Sequence, residues 1–233
     1  MLAWLGLCIV LYYLWRALRL ANPWPRVFLG GIAWIAGVEV TLSGAQSQGR
    51  GGLRGVFLLA NHVSWIDIPA IAGATGSAFV AHDGLAAIGP LRWLCDMNDT
   101  VFVARHDRAS VGRQVEQVRE AIRDTGALTI FPEGTTSDGT DLLPFKSSLL
   151  SALDPIPVGI AVQPIWLDYG KETADIAWIG EEPGLDNFLR ILARARPVML
   201  TLHFLPPLTG EALTNRKTLA AAARDAIVQA MGR

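Results

Sequence analysis

The sequence predicts an α/β domain with a mixed, largely parallel sheet flanked by helices, preceded by a hairpin of two short apolar helices. Three observations carry this reading. Apolar runs of strand length recur along the 233 residues, amphipathic helical patterns separate several of them, and the first 42 residues are locally far more apolar than the rest. Strands that alternate with helices favour parallel pairing, with helices on both sheet faces. A chain of this length buries a substantial core in a single such domain.

The N-terminal element comes first. Met1 to Trp15, "MLAWLGLCIVLYYLW", carries no charge, and Arg16 and Arg19 then interrupt it. After "ANPWPR" a second apolar stretch runs from Val27 to Val38 and contains three glycines. Fifteen helical residues reach about 22 Å, short of the ~30 Å hydrocarbon layer. Residues 1–42 are therefore expected to form a membrane-binding hairpin, broken at Pro23 and Pro25, that dips into one leaflet of the lipid bilayer. Trp4, Trp15, Trp24 and Trp34 are its expected interface anchors. A secretory signal would place its positive charge before the apolar region, whereas here the arginines follow it. A single span over Met1 to Ala21 is the alternative, with Arg16 and Arg19 reaching back to the interface. The positive-inside rule would then hold Arg16, Arg19 and Arg26 at the cytoplasmic face, and both arrangements leave the remaining chain cytoplasmic.

The second unit, residues 43–233, opens on a small, polar, glycine-rich joint, "SGAQSQGRGG". Strands are expected at Val56–Ala60, Ala78–Ala81, Thr100–Ala104, Ala127–Phe131, Pro157–Ile165 and Val198–Phe204. Helices are expected over Ser110–Asp124, Leu185–Arg194 and Asn215–Met231. In the first of these, Val111, Val115, Val118 and Ile122 recur at helical spacing and Gly126 follows as the stop.

Composition narrows the function classes. A net charge of −1 without any Lys/Arg-rich tract gives no attraction to nucleic acid. Only Lys146, Lys171 and Lys217 are lysines, and a genome-wide base bias explains that preference for arginine. Cys8 and Cys95 lack the spacing of a disulfide framework or a zinc knuckle.

Chemistry gathers in loops at the carboxyl ends of strands on such a scaffold. Three loops qualify: "NHVSWID", "RHDR" and "PEGTTSDGT". In the first, His62 and Asp67 lie five residues apart. If the chain turns into a helix near Trp65, the carboxylate folds back onto the imidazole and fixes its tautomer. The other ring nitrogen is then free to take a proton from a hydroxyl. No G-x-S-x-G elbow and no suitably placed cysteine accompanies this pair, so the hydroxyl has to come from the substrate. The blander reading makes His62 a helix cap on a surface turn. In the third loop Glu133 could bind a substrate hydroxyl or brace the loop through backbone N–H groups, and Gly134 permits an unusual dihedral or a close ligand approach. Arg105 ends the strand "TVFVAR", placed to clamp an anionic headgroup. Arg108 and Arg113 fit a solvent-facing helix, and His82, His106 and His203 have no partner pattern. No second histidine sits at ligand spacing from His62, so no metal is expected.

Together "NHVSWID", "TVFVAR", "FPEGTTSDG", "LPFK" and "PIPVGI" resemble the glycerolipid acyltransferases of the 1-acylglycerol-3-phosphate type. The resemblance runs from about Val56 to Pro164 with the blocks in order. It implies His62 as base and Asp67 as its partner, with Asn61 in the same block. It also implies Arg105 as a phosphate contact and Glu133, Gly134 and Thr135 in binding the acyl acceptor. No cofactor is implied; an acyl-CoA or an acyl carrier protein serves as acyl donor and a lysolipid as acceptor, at the cytoplasmic face of a bacterial inner membrane. One departure stands out. Many phosphatidate-forming members continue F-P-E-G-T with arginine, and here Thr136 takes that place. The acceptor implied is 1-acylglycerol-3-phosphate, with lyso-ornithine lipid or another lysolipid as the alternative. A thioesterase or lipase using the same base on water, and a lipid-binding protein without activity, are the rival classes.

Overall fold

Val56 to Ala60 form the centre of the sheet, and all five residues are buried. Val56, Leu58 and Ala60 join one core while Phe57 and Leu59 join another, as an unbroken apolar run in a strand covered on both faces requires. The protein is described by a computed structural model over residues 2–44, 55–82, 89–103, 116–118, 120–122, 125–156 and 159–232.

The strands are β1 (Val38–Gly44), β2 (Val56–Ala60), β3 (Ala78–His82), β4 (Val101–Val103), β5 (Ala127–Ile130), β6 (Ala161–Asp168) and β7 (Val198–Phe204). They are ordered β1-β7-β6-β2-β5-β3-β4. Every neighbouring pair is parallel except β6 with β7. The helices are α1 (Leu2–Ala17), α2 (Trp24–Ile35), α3 (Asp67–Thr75), α4 (Gly89–Met97), α5 (Gly184–Leu192) and α6 (Arg216–Ala230). One sheet face is covered by α2, α3 and α5 through Ala33, Ala70, Ile71 and Ile191. The opposite face is covered by Val118 and Ile122, by Leu150 and Leu153 of the 3-10 segment Ser147–Leu153, and by Leu219 and Ala223 of α6.

Several boundaries differ from expectation. β1 was not foreseen, and the expected division at residue 42 falls inside it. Val38 and Val40 alternate with Glu39 and Thr41 as an edge strand requires, but the preceding apolar run masks that period. The strand expected at Pro157–Ile165 starts at Ala161 and runs to Asp168. Gly159 adopts φ +84°, and pairing begins only where Ala161 N–H reaches Gly55 O at 2.8 Å. Helix α4 had no clear periodic signal. Of the helix expected over Ser110–Asp124, the described residues 116–118 and 120–122 are helical, and Gly126 N–H closes it on Ile122 O. Helix α6 starts on Asn215, whose side chain accepts from the N–H groups of Lys217 and Thr218 while Asn215 N–H donates to the Thr218 hydroxyl.

The two N-terminal helices pack against each other. Trp4 Nε1 donates to Phe28 O at 3.2 Å, and Trp15 meets Trp24 edge-on at 5.4 Å. Three of the four tryptophans expected at a lipid interface thus make helix–helix contacts, and Trp34, 78% exposed, does not. Among the described residues no helix is long and apolar enough to cross a membrane. The hairpin is fastened to the sheet through α3. A Cβ at Gly73 would lie 2.6 Å from Gly30 Cα, so these two helices approach backbone to backbone. Arg26 adds hydrogen bonds of 3.0 Å to Gly73 O and Ala74 O, satisfying carbonyls at the end of α3.

Candidate active site

Strands β6, β2 and β5 are neighbours and run the same way, so the residues that follow them share one edge of the sheet. Tyr169 follows β6, Asn61 and His62 follow β2, and Phe131 to Glu133 follow β5.

Asp67 is the first residue of α3, where backbone dipoles favour an anion. Its Oδ2 accepts from His62 Nδ1 at 2.7 Å, from Val63 N–H at 2.7 Å and from Ser64 N–H at 2.9 Å. Its Oδ1 accepts from the Tyr169 hydroxyl. With Nδ1–H donating to this buried carboxylate, the lone pair lies on Nε2, which has no partner among the described residues. One face of the imidazole stacks on Phe131 at 4.0 Å, and 16% of the side chain stays exposed. The imidazole is thus held at one nitrogen and unpartnered at the other among the described residues, a geometry suited to a general base.

Glu133 is fully buried and braces the base from the other strand. Its Oε1 accepts from His62 N–H at 2.7 Å and its Oε2 from Leu143 N–H at 3.0 Å. Burial pushes its carboxyl up to about 7, against the pull of those two backbone N–H groups and of His62. Of the two roles the sequence allowed Glu133, the geometry displays the bracing one. Ser137 completes the strap, its N–H donating to His62 O at 2.8 Å.

Asn61 is also buried. Its amide donates to Leu167 O at 3.2 Å and accepts from Leu167 N–H at 2.7 Å, extending the β2–β6 pairing beyond its last rung. The Thr136 hydroxyl donates to Trp178 O, and Trp178 N–H donates to Val63 O at 2.9 Å. Trp178 therefore ties the two loops together. Gly134 adopts φ +69°, and a Cβ there would lie 3.0 Å from Leu149 Cδ1 and 3.3 Å from Lys146 Nζ. Thr135 is exposed beside it. Arg105, with Arg108, Arg113 and His106, lies outside the described residues. His203 does have partners, stacking on Trp166 at 4.6 Å with Nε2 3.6 Å from Asp168.

Sequence reasoning missed Tyr169, Trp178, Ser137 and Lys146 as neighbours of this site. Tyr169 had a usable signal, the strand-end rule, but the expected strand stopped at Ile165 and hid it. Trp178 acts through backbone groups, and Ser137 pairs both its N–H and its hydroxyl with His62 O, neither of which leaves a residue-type signature.

The comparisons with known proteins now bear on this geometry. A family model described as Acyltransferase matches residues 40–168, a stretch that contains His62, Asp67 and Glu133. The chain belongs to the acyltransferase family. The lyso-ornithine lipid O-acyltransferase of Rhodobacter capsulatus is 31% identical over 207 residues, 85% of this chain and 72% of that protein. The 1-acyl-sn-glycerol-3-phosphate acyltransferase of Neisseria meningitidis is 36% identical over 124 residues, 51% of this chain and 46% of that protein. The crystal structure of the 1-acyl-sn-glycerophosphate acyltransferase PlsC from Thermotoga maritima superposes with a TM-score of 0.62 at 22% identity, covering 98% of this acyltransferase and 88% of that chain. That likeness establishes the shared fold.

Proposed function

We propose that this acyltransferase works on a membrane surface and transfers a fatty acyl group from acyl-CoA or acyl carrier protein to the free hydroxyl of a lysolipid. The observation that carries this is the pairing of His62 Nδ1 with buried Asp67, with Nε2 open. Nε2 accepts the hydroxyl proton as the lipid oxygen attacks the thioester carbonyl. The tetrahedral intermediate collapses with release of the thiolate, which takes the proton back from the imidazolium. No protein nucleophile is needed, so the acyl group passes directly from donor to acceptor. Asp67 orients the imidazole, Glu133 holds the His62 backbone, and Asn61 acts as a positioning residue through β6.

The preferred acceptor is a lysolipid of the lyso-ornithine type, whose headgroup carries a carboxylate. Two observations support it over 1-acylglycerol-3-phosphate. The Rhodobacter relative aligned over most of this chain bears that name. The Thr136 side chain donates to a backbone carbonyl and brings no cation to the loop. The Lys146 ammonium lies beside Gly134, a point charge placed to meet the anionic group of the acceptor.

A panel of lysolipids tested with both donors, on the purified wild-type, His62→Ala and Lys146→Met proteins, checks these steps. His62→Ala should remove transfer while the protein stays folded; retained turnover would defeat the mechanism. Thiol release should require the lysolipid, and equal release without it would assign a hydrolase instead. Lys146→Met should raise the KM for the carboxylate-bearing acceptor about ten- to a hundredfold, the range of one charged hydrogen bond. An unchanged KM would remove Lys146 from the acceptor site.

A further inference from the structure

Asp67 has a second oxygen that the base does not use. Oδ2 takes the imidazole and two backbone N–H groups, while Oδ1 accepts from Tyr169 alone among the described residues. We propose that Tyr169 is a positioning residue for the acyl-transfer base: its hydroxyl fixes the rotation of the Asp67 carboxylate and sets how strongly that carboxylate holds the imidazole. This rests on the reading of His62 as the base.

The geometry makes Tyr169 suited to the task. Its ring is buried in the same core cluster as Ile66, just before Asp67, and Ala70, one helical turn beyond it. It is the first residue after β6, and Asn61 clamps that strand at Leu167. The base and the phenol therefore hang from adjacent strands, with the Asp67 carboxylate at the start of α3 bonded to both. Burial and the neighbouring Asp67 charge push the Tyr169 phenol well above its ordinary value, so it remains a donor throughout the physiological range. Without that donor Oδ1 is a buried acceptor with no partner, a state that costs free energy and leaves χ2 of Asp67 set by one oxygen only.

The consequence for catalysis has a definite sign. The ionisable groups facing the imidazole are Asp67 from α3 and Glu133 from the loop after β5, with Tyr169 behind Asp67. A hydrogen bond to the ionised carboxylate disperses its charge. Removing the Tyr169 hydroxyl concentrates that charge on the imidazole, whose protonated form gains. The three donors on Oδ2 are untouched by the change.

The test is Tyr169→Phe, which deletes one oxygen and keeps the packed ring. The acidic limb of the kcat/KM profile should move to higher pH by about half a unit to one unit, and kcat should fall about tenfold or more with the acceptor KM little changed. The His62 ring resonances, followed by NMR on protein labelled in histidine, should titrate at correspondingly higher pH in the variant. An unmoved limb and unmoved titration, with activity lost only in proportion to unfolded protein, would assign Tyr169 to packing and overturn the proposal. A shift to lower pH would overturn it too. The NMR titration needs no substrate, so it judges Tyr169 even if no lysolipid is turned over, an outcome that would count against the proposed reaction instead.

Discussion

At the scale of single residues, Glu133 shows how a motif residue can serve the backbone. Both its oxygens accept main-chain N–H groups, and it is wholly buried. Glu133→Gln keeps the shape but turns an NH₂ toward one of those donors, which should cost about 1–3 kcal/mol in unfolding experiments. The pH dependence gives a second check. Burial lifts this carboxyl from 4.5 to about 7, so across that window the native state holds a proton that the unfolded chain has released. Its contribution to stability therefore falls as pH rises through the window. The melting temperature of the wild type over Glu133→Gln should exceed by most near pH 5 and by least near pH 8; a constant difference would rule out Glu133 as the titrating group. How far the site was legible follows the same division. His62 and Asp67 could be read because a base and a carboxylate at that spacing have a chemical signature. The backbone duties of Asn61, Thr136 and Ser137 could not, since an amide or hydroxyl that pairs with the main chain reads in sequence like any polar loop residue.

Among the elements, α2 and α3 meet backbone to backbone. Gly30 and Gly73 bring the two backbones together, and Arg26 binds the end of α3. Gly73→Ala places a methyl group 2.6 Å from Gly30 Cα, and the helices must part. A loss of about 1–3 kcal/mol is expected from such overpacking. Gly6→Ala in α1 is the control, because nothing lies within 4 Å of the added atom and helix propensity favours alanine. Equal melting temperatures for the two variants would show that the joint yields freely. β2, an unbroken apolar run, and β7, which alternates, matched the sequence reading to the residue, because burial on both faces or regular alternation leaves a strong pattern. β1 did not: its alternating half follows directly on the apolar hairpin, and only pairing with β7, a contact across 160 residues (Val38 with Val198), reveals it.

For the whole molecule, the hairpin presents one apolar stripe outward. Leu7, Val10, Leu14 and Leu18 recur at helical spacing and are about half exposed or more, whereas Cys8 and Tyr12 face inward. An exposed contiguous apolar stripe of this kind marks a surface that binds lipid or protein, and α1, about 24 Å long, is too short to span the hydrocarbon. Replacing Leu7, Val10 and Leu14 by glutamate should release the protein from lipid vesicles in a flotation assay, yet leave turnover of a detergent-dispersed lysolipid. Continued flotation would show that this stripe does not hold the protein to lipid.

The glycine joint also has a consequence for which molecules can react. Helix α3 begins at Asp67 and packs against α2 near its other end, so the His62–Asp67 pair and the helical hairpin are joined through one short helix. Under the proposed seating of the hairpin in a leaflet, that helix would set the height of the imidazole above the acyl chains. An alcohol riding too high or too deep in the bilayer would then be passed over, whatever its headgroup.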